Sequence, residues 1–291
     1  MPVDAGKNLV LGPTHTLCFG VFLPSPHASA AIYLGSTQLP PHHTHSKVFH
    51  QSPPQLPSSS TAIPPTVCVI GGGHAGCEAA TGAARAGART VLLTQKIETI
   101  GELSCNPSIG GVGKGTLVRE VDALDGVMAR VADQAGIQFH ILNRSKGAAV
   151  WGPRAQIDRT LYKRNMQETL HGYPNLTIKA GSVFDLVIDH SDSASSGQWG
   201  SIVGVKLDTE LFVPGLKTFP AGRINDAPSI GLSASLKAAG FKLGRLQTGT
   251  PARLDGTTID FSGMEQQLGD AVPSPFSYLN REVPNAVCPG H

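Results

Sequence analysis

Residues 66–94 read TVCVIGGGHAGCEAATGAARAGARTVLLT, and this stretch decides the fold. The apolar run at 67–70 is typical of a buried strand and leads directly into glycines. Residues 77–86 are small and compatible with a helix that Gly87 ends, and residues 90–94 form a second apolar run. A strand, a helix and a strand within about thirty residues predict a β–α–β unit that opens a parallel sheet.

The glycines at 71, 73 and 76 have the GxGxxG spacing of a dinucleotide-binding turn. In such a turn the backbone bends tightly, approaches a pyrophosphate, and packs the following helix close to the strand. The acidic residue that usually binds the ribose is missing, because the second strand ends in Thr94-Gln95-Lys96. The alternatives are a nucleotide site and a purely structural glycine turn, and the flanking strands favour the first. The candidate cofactor-binding residues are Gly71, Gly72, Gly73, His74, Ala75 and Gly76.

The overall composition excludes several classes of protein. With 23 Lys and Arg against 21 Asp and Glu, the formal net charge is +2, which excludes a protein that coats a polyanion. No run of 18 apolar residues is present, so no transmembrane helix is expected. The five cysteines are widely spaced and form no CxxC pair, so we expect neither a disulfide scaffold nor a metal site.

Residues 1–65 differ in composition from the rest. They hold 11 of the 22 prolines but only three charged residues, and they show neither a helical nor a strand period. Such a segment cannot bury enough apolar surface to offset its ordering entropy. We expect a disordered leader rich in Pro, His and Ser, and it would be an unusual transit peptide because it contains no Arg.

The remaining pattern predicts a mixture of helices and strands. Residues 101–116 are too glycine-rich for regular structure, so we expect an extended loop there. Residues 117–134 place apolar side chains, Leu117 and Leu124 among them, on one face of a single helix. Further helices are predicted at 154–170 and 229–239, and short strands at 176–178, 183–188 and 202–207.

Two groups of residues outside the glycine turn could carry chemistry. Cys105 is either a nucleophile with a lowered pKa, because Lys114 is near it in the chain, or a small buried residue. A basic stretch interrupted by Trp151 and Tyr162 suits phosphate contact and base stacking, but a solvated helix face is the favoured interpretation. Its cations are Arg144, Lys146, Arg154, Arg159, Lys163 and Arg164.

Six segments of the chain, in this order, resemble one known family, the MnmG/GidA flavoproteins and their mitochondrial counterparts. The resemblance covers residues 66–283. The segments are GGGHAGCEAA (71–80), SCNPSIGGVGKG (104–115), REVDALDG (119–126), AVWGPRAQIDR (149–159), PAGRINDAPSIGL (220–232) and GRLQTGTPARLD (244–255).

The resemblance implies an α/β fold class. The core would be an FAD-binding, Rossmann-like parallel sheet of the two-dinucleotide-binding type with an inserted α+β portion, incomplete at the C-terminus. The domains would be the leader at 1–65, an N-terminal FAD-binding domain at 66–283, and an unrelated or disordered tail at 284–291.

Site residues follow from the same resemblance. It places the FAD pyrophosphate on residues 71–76 and the adenosine part of FAD on Val183, and it makes Ser229 a further FAD contact. Cys105 matches an essential cysteine of the family that attacks the uracil ring or assists methylene transfer. The resemblance makes Arg144, Lys146 and Arg154 candidates for contacts to tRNA or cofactor phosphates.

The function that the resemblance implies is modification of the wobble uridine of tRNA at C5. The product is a carboxymethylaminomethyl or taurinomethyl derivative, and the reaction uses FAD, with NADH and methylenetetrahydrofolate as co-substrates. The implied partners are tRNA, a GTPase of the MnmE type and a second copy in a homodimer, with no membrane. The implied location is the mitochondrion, and otherwise the cytoplasm.

The chain departs from the family pattern in three places. The family's second essential cysteine lies in a VPCY-like motif, and Cys288, in the sequence VPNAVCP at 283–289, matches it poorly. Residues 208–217 read DTELFVPGLK, where the family has a further strand and a flavin-contacting turn, so we expect an internal deletion. The chain ends at His291, less than half the usual family length, so a truncated member is expected. The alternative function is therefore a non-catalytic isoform that binds flavin weakly or pairs with full-length subunits.

Overall fold

The computed structural model describes residues 8–10, 16–19, 32–35, 65–189, 201–208, 231–238, 240–244 and 254–285. Three short strands lie before residue 65, namely β1 (Asn8–Val10), β2 (Thr16–Phe19) and β3 (Ile32–Gly35). No regular structure was predicted there. β1 and β3 each pair with a strand of the folded region and β2 pairs with β3, and this pairing satisfies their backbone groups. The disordered leader otherwise stays a prediction.

The folded region alternates strands and helices, as the sequence predicts. In this region the structure describes β4 (Val67–Ile70), α1 (His74–Arg85), β5 (Thr90–Thr94), β6 (Ser108–Gly110), α2 (Val112–Ala123), α3 (Met128–Ala135), β7 (Gly136–Leu142), β8 (Gly152–Ile157), α4 (Arg159–His171), β9 (Leu176–Ala180), β10 (Ser182–Asp189), β11 (Ser201–Asp208) and α5 (Leu232–Ala238).

The predicted β–α–β unit is confirmed. Strands β4, β5 and β9 are parallel, with Val67 opposite Thr90 and Thr90 opposite Leu176, and β3 and β2 extend the sheet antiparallel beyond β4. Gly87 ends α1 in a left-handed conformation at φ +91°, and its N–H donates to the Ala84 carbonyl at 3.0 Å. The helix therefore ends just before this glycine, as the sequence predicts.

The parallel sheet is covered on both faces, which is why its strands are continuously apolar. Val67, Val69 and Leu92 pack with the alanines of α1 in one hydrophobic cluster. The alternate residues Cys68, Ile70, Val91 and Leu93 pack on the other face against Val183, Leu186 and Val205 of an antiparallel sheet. That second sheet has the strand order β1-β11-β10.

The inserted α+β portion lies between β5 and β9. Its antiparallel sheet has the order β6-β8-β7, and α2, α3 and α4 pack around it. Helix α4 begins after Asp158, whose side chain accepts the Leu161 N–H at 2.9 Å. It then buries Tyr162, Met166 and Leu170, one helical turn apart, and returns the chain to the parallel sheet at β9.

Three element predictions within this portion were wrong. Residues 101–116 contain β6 and the start of α2, because pairing with β8 and helix formation order the glycines. The single helix predicted over 117–134 is two helices, α2 and α3, because Asp125 adopts φ +65° beside Gly126 and interrupts the helix. Leu117 and Leu124, predicted on one apolar face, are exposed. The helix expected at 154–170 begins only at Arg159, because the preceding residues pair with both β6 and β7.

Other element predictions hold with shifted ends. The strands expected at 176–178, 183–188 and 202–207 correspond to β9, β10 and β11, and the helix expected at 229–239 corresponds to α5. Within the part of the chain that the structure describes, no helix combines the length and apolarity needed to cross a membrane.

A segment without helix or strand, residues 267–285, is held on the inserted portion by buried carboxylates. Asp133, fully buried on α3, accepts the N–H groups of Phe276 and Ser277 at 2.6 and 2.9 Å and the Asn280 side chain at 2.8 Å. Asp122 accepts the Tyr278 N–H at 2.9 Å. We call residues 267–285 the strap, and the backbone N–H groups of residues 276–278 depend on these two side chains.

We expect Asp133→Ala to lower the free energy of unfolding by about 3 kcal/mol or more. Its three donors would lose their acceptor, and each buried group left unpaired costs about 1–3 kcal/mol. Urea denaturation followed by circular dichroism measures the change. Glu120→Ala, at an exposed position on α2, is the matched control and should stay within about 0.5 kcal/mol of the parent chain. A loss below about 1 kcal/mol for Asp133→Ala would contradict the role of this carboxylate.

Candidate functional site

The glycine turn between β4 and α1 is tightly packed against its own helix. Gly71 is in the left-handed region at φ +103°, and its N–H donates to the Leu93 carbonyl at 2.7 Å. A Cβ at Gly76 would collide with the carbonyl oxygen of Gly71, and one at Gly72 would lie 2.8 Å from Ile100 Cγ1. Glycine is therefore required at 72 and 76 because no side-chain atom fits there.

The start of α1 presents backbone N–H groups beside this turn that have no acceptor among the residues that the structure describes. The first intrahelical bond runs from the Cys77 N–H to the Gly73 carbonyl at 2.9 Å, so the preceding N–H groups, of residues 74–76, have no partner within the helix. The first turn carries no acidic side chain, and Gly73 at φ −76° and ψ −179° offers no side-chain cap. This end of the helix, with its positive dipole, suits an anionic group.

His74 is held neutral at the mouth of the turn. Its Nδ1 lies 3.4 Å from the Tyr162 hydroxyl, and the two rings meet edge to face with centroids 5.7 Å apart. Burial, and secondarily the positive charge of Lys114, lowers the pKa of His74 to about 4. The imidazole is therefore uncharged at neutral pH, and its contact with Tyr162 joins α1 to α4.

Lys114, in the first turn of α2, lies within electrostatic range of both His74 and Cys105. Although Lys114 is exposed, partial loss of solvent around its ammonium group lowers its pKa, and the nearby Cys105 opposes that shift. Cys105 is a half-exposed thiol whose main-chain carbonyl accepts from the Arg159 guanidinium. The structure thus brings together the predicted turn residue His74, the predicted nucleophile Cys105 and a cation.

The first turn of α2, which contains Lys114, is exposed to solvent. Apart from chain neighbours and the backbone of α2 itself, no described heavy atom lies within 4 Å of the Cβ position of Gly111 or Gly113. By contrast, a Cβ at Gly110 or Gly115 would collide with the carbonyl oxygen of Pro153. The predicted glycine-rich loop is therefore close-packed on its β8 side and open on the side where α2 begins.

Glu78 has a structural role that sequence reasoning missed. Its two carboxylate oxygens accept the N–H groups of Val127 and Met128 at 3.1 and 2.6 Å, at the start of α3. Burial raises the pKa of Glu78, while these two N–H groups act in the opposite direction. Because the acceptor precedes its donors by about fifty residues, no local sequence pattern such as a capping box could have indicated the contact.

Val183, predicted to contact the adenosine part of FAD, lies near the start of β10. The Gly181 N–H donates to the Thr94 carbonyl at 2.8 Å, which places the start of β10 at the end of β5. The Val183 side chain is buried in the core, so only its backbone could contact a ligand. Ser229 lies outside the described residues, and its predicted FAD contact stays a prediction.

The basic stretch is divided among a loop, strand β8 and helix α4. Arg144 and Lys146 lie in a single 3-10 turn between β7 and β8, and Arg154 lies on β8, so the predicted solvated helix face was wrong for these three. Arg144 pairs with Asp270 at 2.7 Å and lies 5.7 Å above the Trp151 ring. Arg154, on β8, reaches the Ser108 hydroxyl at 3.5 Å.

Comparison with known proteins shows which family this chain belongs to. The model of the family described as glucose inhibited division protein A matches residues 66–289. The chain belongs to this family. The match begins at β4 and spans the glycine turn, the inserted portion and the strap, so the site described above lies entirely within the region that matches the glucose inhibited division protein A family.

Individual members of the family are similar over the same region. The mitochondrial 5-taurinomethyluridine-tRNA synthase subunit MTO1 of Macaca fascicularis is 50% identical over 247 residues, which cover 78% of this chain and 36% of that protein. The tRNA uridine 5-carboxymethylaminomethyl modification enzyme MnmG of Granulibacter bethesdensis is 50% identical over 229 residues, covering 75% and 36%. The chain thus spans about a third of the length of these relatives.

A solved structure supports the fold. GidA of Aquifex aeolicus superposes with a TM-score of 0.64 at 43% identity, covering 74% of this chain and 37% of that one. The predicted fold class, a mixed α/β fold built on a parallel sheet with an inserted α+β portion, is confirmed by this match and by the strand order.

We expect Lys114→Met to raise the pKa of His74 above about 4 while leaving it below 6.5. The cation contributes to the shift, whereas burial, the larger cause, remains. Since the folded pKa lies below the unfolded one, the contribution of His74 to stability falls as the pH drops from about 6.5 through 4. Ring-proton NMR titration measures the midpoint, with Lys146→Met as the control cation. An unchanged midpoint in Lys114→Met would remove Lys114 from the site.

Proposed function

We propose that this chain is the FAD-binding portion of a flavoprotein that modifies the wobble uridine of tRNA at C5. The observation that carries the proposal is the glycine turn at the end of β4, with a helix N-terminus directly behind it and no room for side chains at 72 and 76. That arrangement fits a pyrophosphate, which needs close backbone approach and unpaired N–H donors.

The residues at 71–76 would hold the pyrophosphate and the start of β10 would contact the adenosine part. FAD, when bound, supplies redox chemistry that amino-acid side chains lack. A neutral His74 adds no charge beside the pyrophosphate, so the attraction comes from the helix dipole and from Lys114. The chain's own groups therefore bind and orient the cofactor from one face.

Cys105 is the proposed nucleophile toward the uracil ring. Its thiol is half-exposed, and Lys114 places a positive charge near the position where a thiolate would form. The hydrogen bond from Arg159 to the Cys105 carbonyl fixes the backbone that presents the thiol. Assistance to methylene transfer by the same residue is the second form of this proposal.

The substrate and partners are proposed from the named relatives. Their names refer to taurinomethyl and carboxymethylaminomethyl derivatives of tRNA uridine, and MTO1 is named as mitochondrial. We propose tRNA as the substrate, NADH and methylenetetrahydrofolate as co-substrates, a GTPase of the MnmE type and a second copy as partners, and the mitochondrion as the location. These assignments are proposed at the level of the whole protein, since the chain spans about a third of the length of these relatives.

The glycine turn is tested by Gly73→Val. Gly73 has a negative φ that valine tolerates, so the fold should survive while the branched side chain blocks the approach of the pyrophosphate. Absorbance of the purified protein near the flavin bands measures the bound cofactor. Gly82→Ala is the matched control on α1, where the nearest atom is 4.0 Å away, and it should keep the flavin. Stoichiometric flavin in Gly73→Val would show that the pyrophosphate binds elsewhere.

Cys105→Ser tests the nucleophile. The substitution is nearly isosteric at a half-exposed position, so stability should change by no more than about 1 kcal/mol. Introduced at the matching position of a full-length relative, it should abolish formation of the modified uridine while the flavin stays bound. Mass spectrometry of digested tRNA measures the product, and Cys68→Ser, at a buried thiol in the core, is the control for loss of a sulfur. Undiminished product would exclude Cys105 from the reaction.

A further inference from the structure

The loop between β7 and β8 presents an aromatic ring in a fixed position. Trp151 is 42% exposed, yet its indole N–H donates to the Arg144 carbonyl at 3.1 Å. The Arg144 guanidinium lies over the same ring and is itself anchored on Asp270. An exposed tryptophan restrained in this way is a preformed flat surface, which loses little conformational entropy when a partner stacks on it.

Asp270 of the strap anchors this loop. Asp270 accepts from Arg144 at 2.7 Å and from the Ile141 N–H at 3.1 Å, and His140 lies 2.9 Å from its other oxygen. Burial opposes ionisation of Asp270, but Arg144, the Ile141 N–H and His140 together lower its pKa. The carboxylate therefore stays charged at neutral pH and holds the loop in place.

The loop carries a surplus of positive charge. Arg144 pairs with Asp270, whereas no salt bridge among the described residues neutralises Lys146 or the half-buried Arg154 of the adjoining strand β8. The Arg154 Nε is buried and has no hydrogen-bond acceptor within the described part of the chain. Arg144 is 54% exposed even though it is paired, so its guanidinium can contact a second anion.

The same loop adjoins the site at Cys105. A Cβ at Gly152 would lie 2.8 Å from the Val112 Cα, so the residue after Trp151 touches the first residue of α2. The Gly111 N–H donates to the Pro153 carbonyl at 3.0 Å and fixes this junction. Two residues further along α2 is Lys114, the cation near Cys105.

We propose that the loop of residues 143–151 binds an unpaired segment of RNA, with a base stacked on Trp151 and phosphates on Arg144 and Lys146. The inference rests on the proposed function, because it takes RNA as the substrate, and it identifies the surface that the function requires. Stacking on a flat ring together with cations along the backbone is how proteins bind single strands. A base held on Trp151 leaves its neighbour beside α2, on the side of the reactive thiol.

The test uses the two tryptophans of the chain, Trp151 and Trp199. In Trp199→Phe, Trp151 is the only indole, and titration with an oligouridylate of about eight nucleotides should quench its fluorescence. Filter binding then compares variants in the natural background. Trp151→Ala should weaken binding by about tenfold or more, whereas Trp151→Phe, which keeps an aromatic face, should retain most of the affinity.

The charge contribution has a matched control. Arg144→Gln and Lys206→Gln each remove one half-exposed cation that is paired with a carboxylate, Asp270 or Asp185. Arg144→Gln should reduce the salt slope of binding by about one, and Lys206→Gln should leave it unchanged. Equal effects of the two variants, or unweakened binding by Trp151→Ala, would overturn the proposal.

Two further measurements distinguish RNA from other anionic ligands of the loop, and the RNA-binding proposal from the proposed function. Equal quenching by polyglutamate or by polyphosphate would overturn the proposal in favour of an acidic protein or a bare polyanion. Flavin absorbance of the same preparations tests the proposed function independently. Protein that lacks flavin but binds RNA through Trp151 supports the surface and counts against the cofactor, whereas flavin-containing protein whose RNA binding ignores Trp151 refutes the surface alone.

Discussion

The close approach of α1 to the end of β4 is the contact on which the rest of the structure depends. The carbonyl oxygen of Gly71 occupies the space that a side chain at 76 would need, so helix and strand meet backbone to backbone. Alanines bury the same face of α1 against Val67, Val69 and Leu92. Because the helix is fixed at this distance, its first residue, His74, meets Tyr162 and so sets the position of α4 and of the inserted portion.

One cation organises the electrostatics of the site. After burial, Lys114 is the second cause that lowers the pKa of His74, and it also interacts with Cys105. Its charge therefore acts both on the turn that would hold a pyrophosphate and on the thiol that would meet the substrate. Burial is the main reason why the neutral form of His74 is favoured, and repulsion of a charged imidazole by Lys114 adds to it. Arg159 supplies a further cation, because its guanidinium donates to the Cys105 carbonyl, and the N-terminus of α1 supplies the positive end of its dipole.

The sequence predicts those parts of the fold that local patterns control. The apolar runs at β4 and β5, the glycine turn and the stop at Gly87 are each determined within a few residues, and all three were predicted correctly. The errors lie in the inserted portion, where β6 and β8 form only because they pair with each other and with β7. Tertiary pairing there overrides the helical pattern at 154–158 and the glycine content at 108–115.

The site was predictable only in part, for the same reason. Cys105 and the glycine turn were predicted as site residues from the sequence. The hydrogen bonds of Glu78 with the start of α3 and of Asp133 with the strap were not predicted, because they join residues about fifty and more than a hundred positions apart. No periodicity connects such positions, because each carboxylate satisfies backbone donors that only the folded chain brings near. Long-range acceptors of this kind are invisible to a search for motifs.

The glycines of the inserted portion fall into two physical groups, and the division explains why one segment is both packed and open. At 110, 115 and 152 a side chain would overlap neighbouring backbone, so glycine is needed for β6, β8 and α2 to come together. At 111 the left-handed φ of +115° requires glycine although packing does not, and at 113 no described atom beyond the chain neighbours and the backbone of α2 lies within 4 Å of a Cβ position. Absence of a side chain at those two positions instead leaves the first turn of α2 exposed beside Lys114. Close packing against β8 thus fixes one side of this segment, and its other side is the exposed first turn of α2. A ligand of Cys105 would approach that exposed surface.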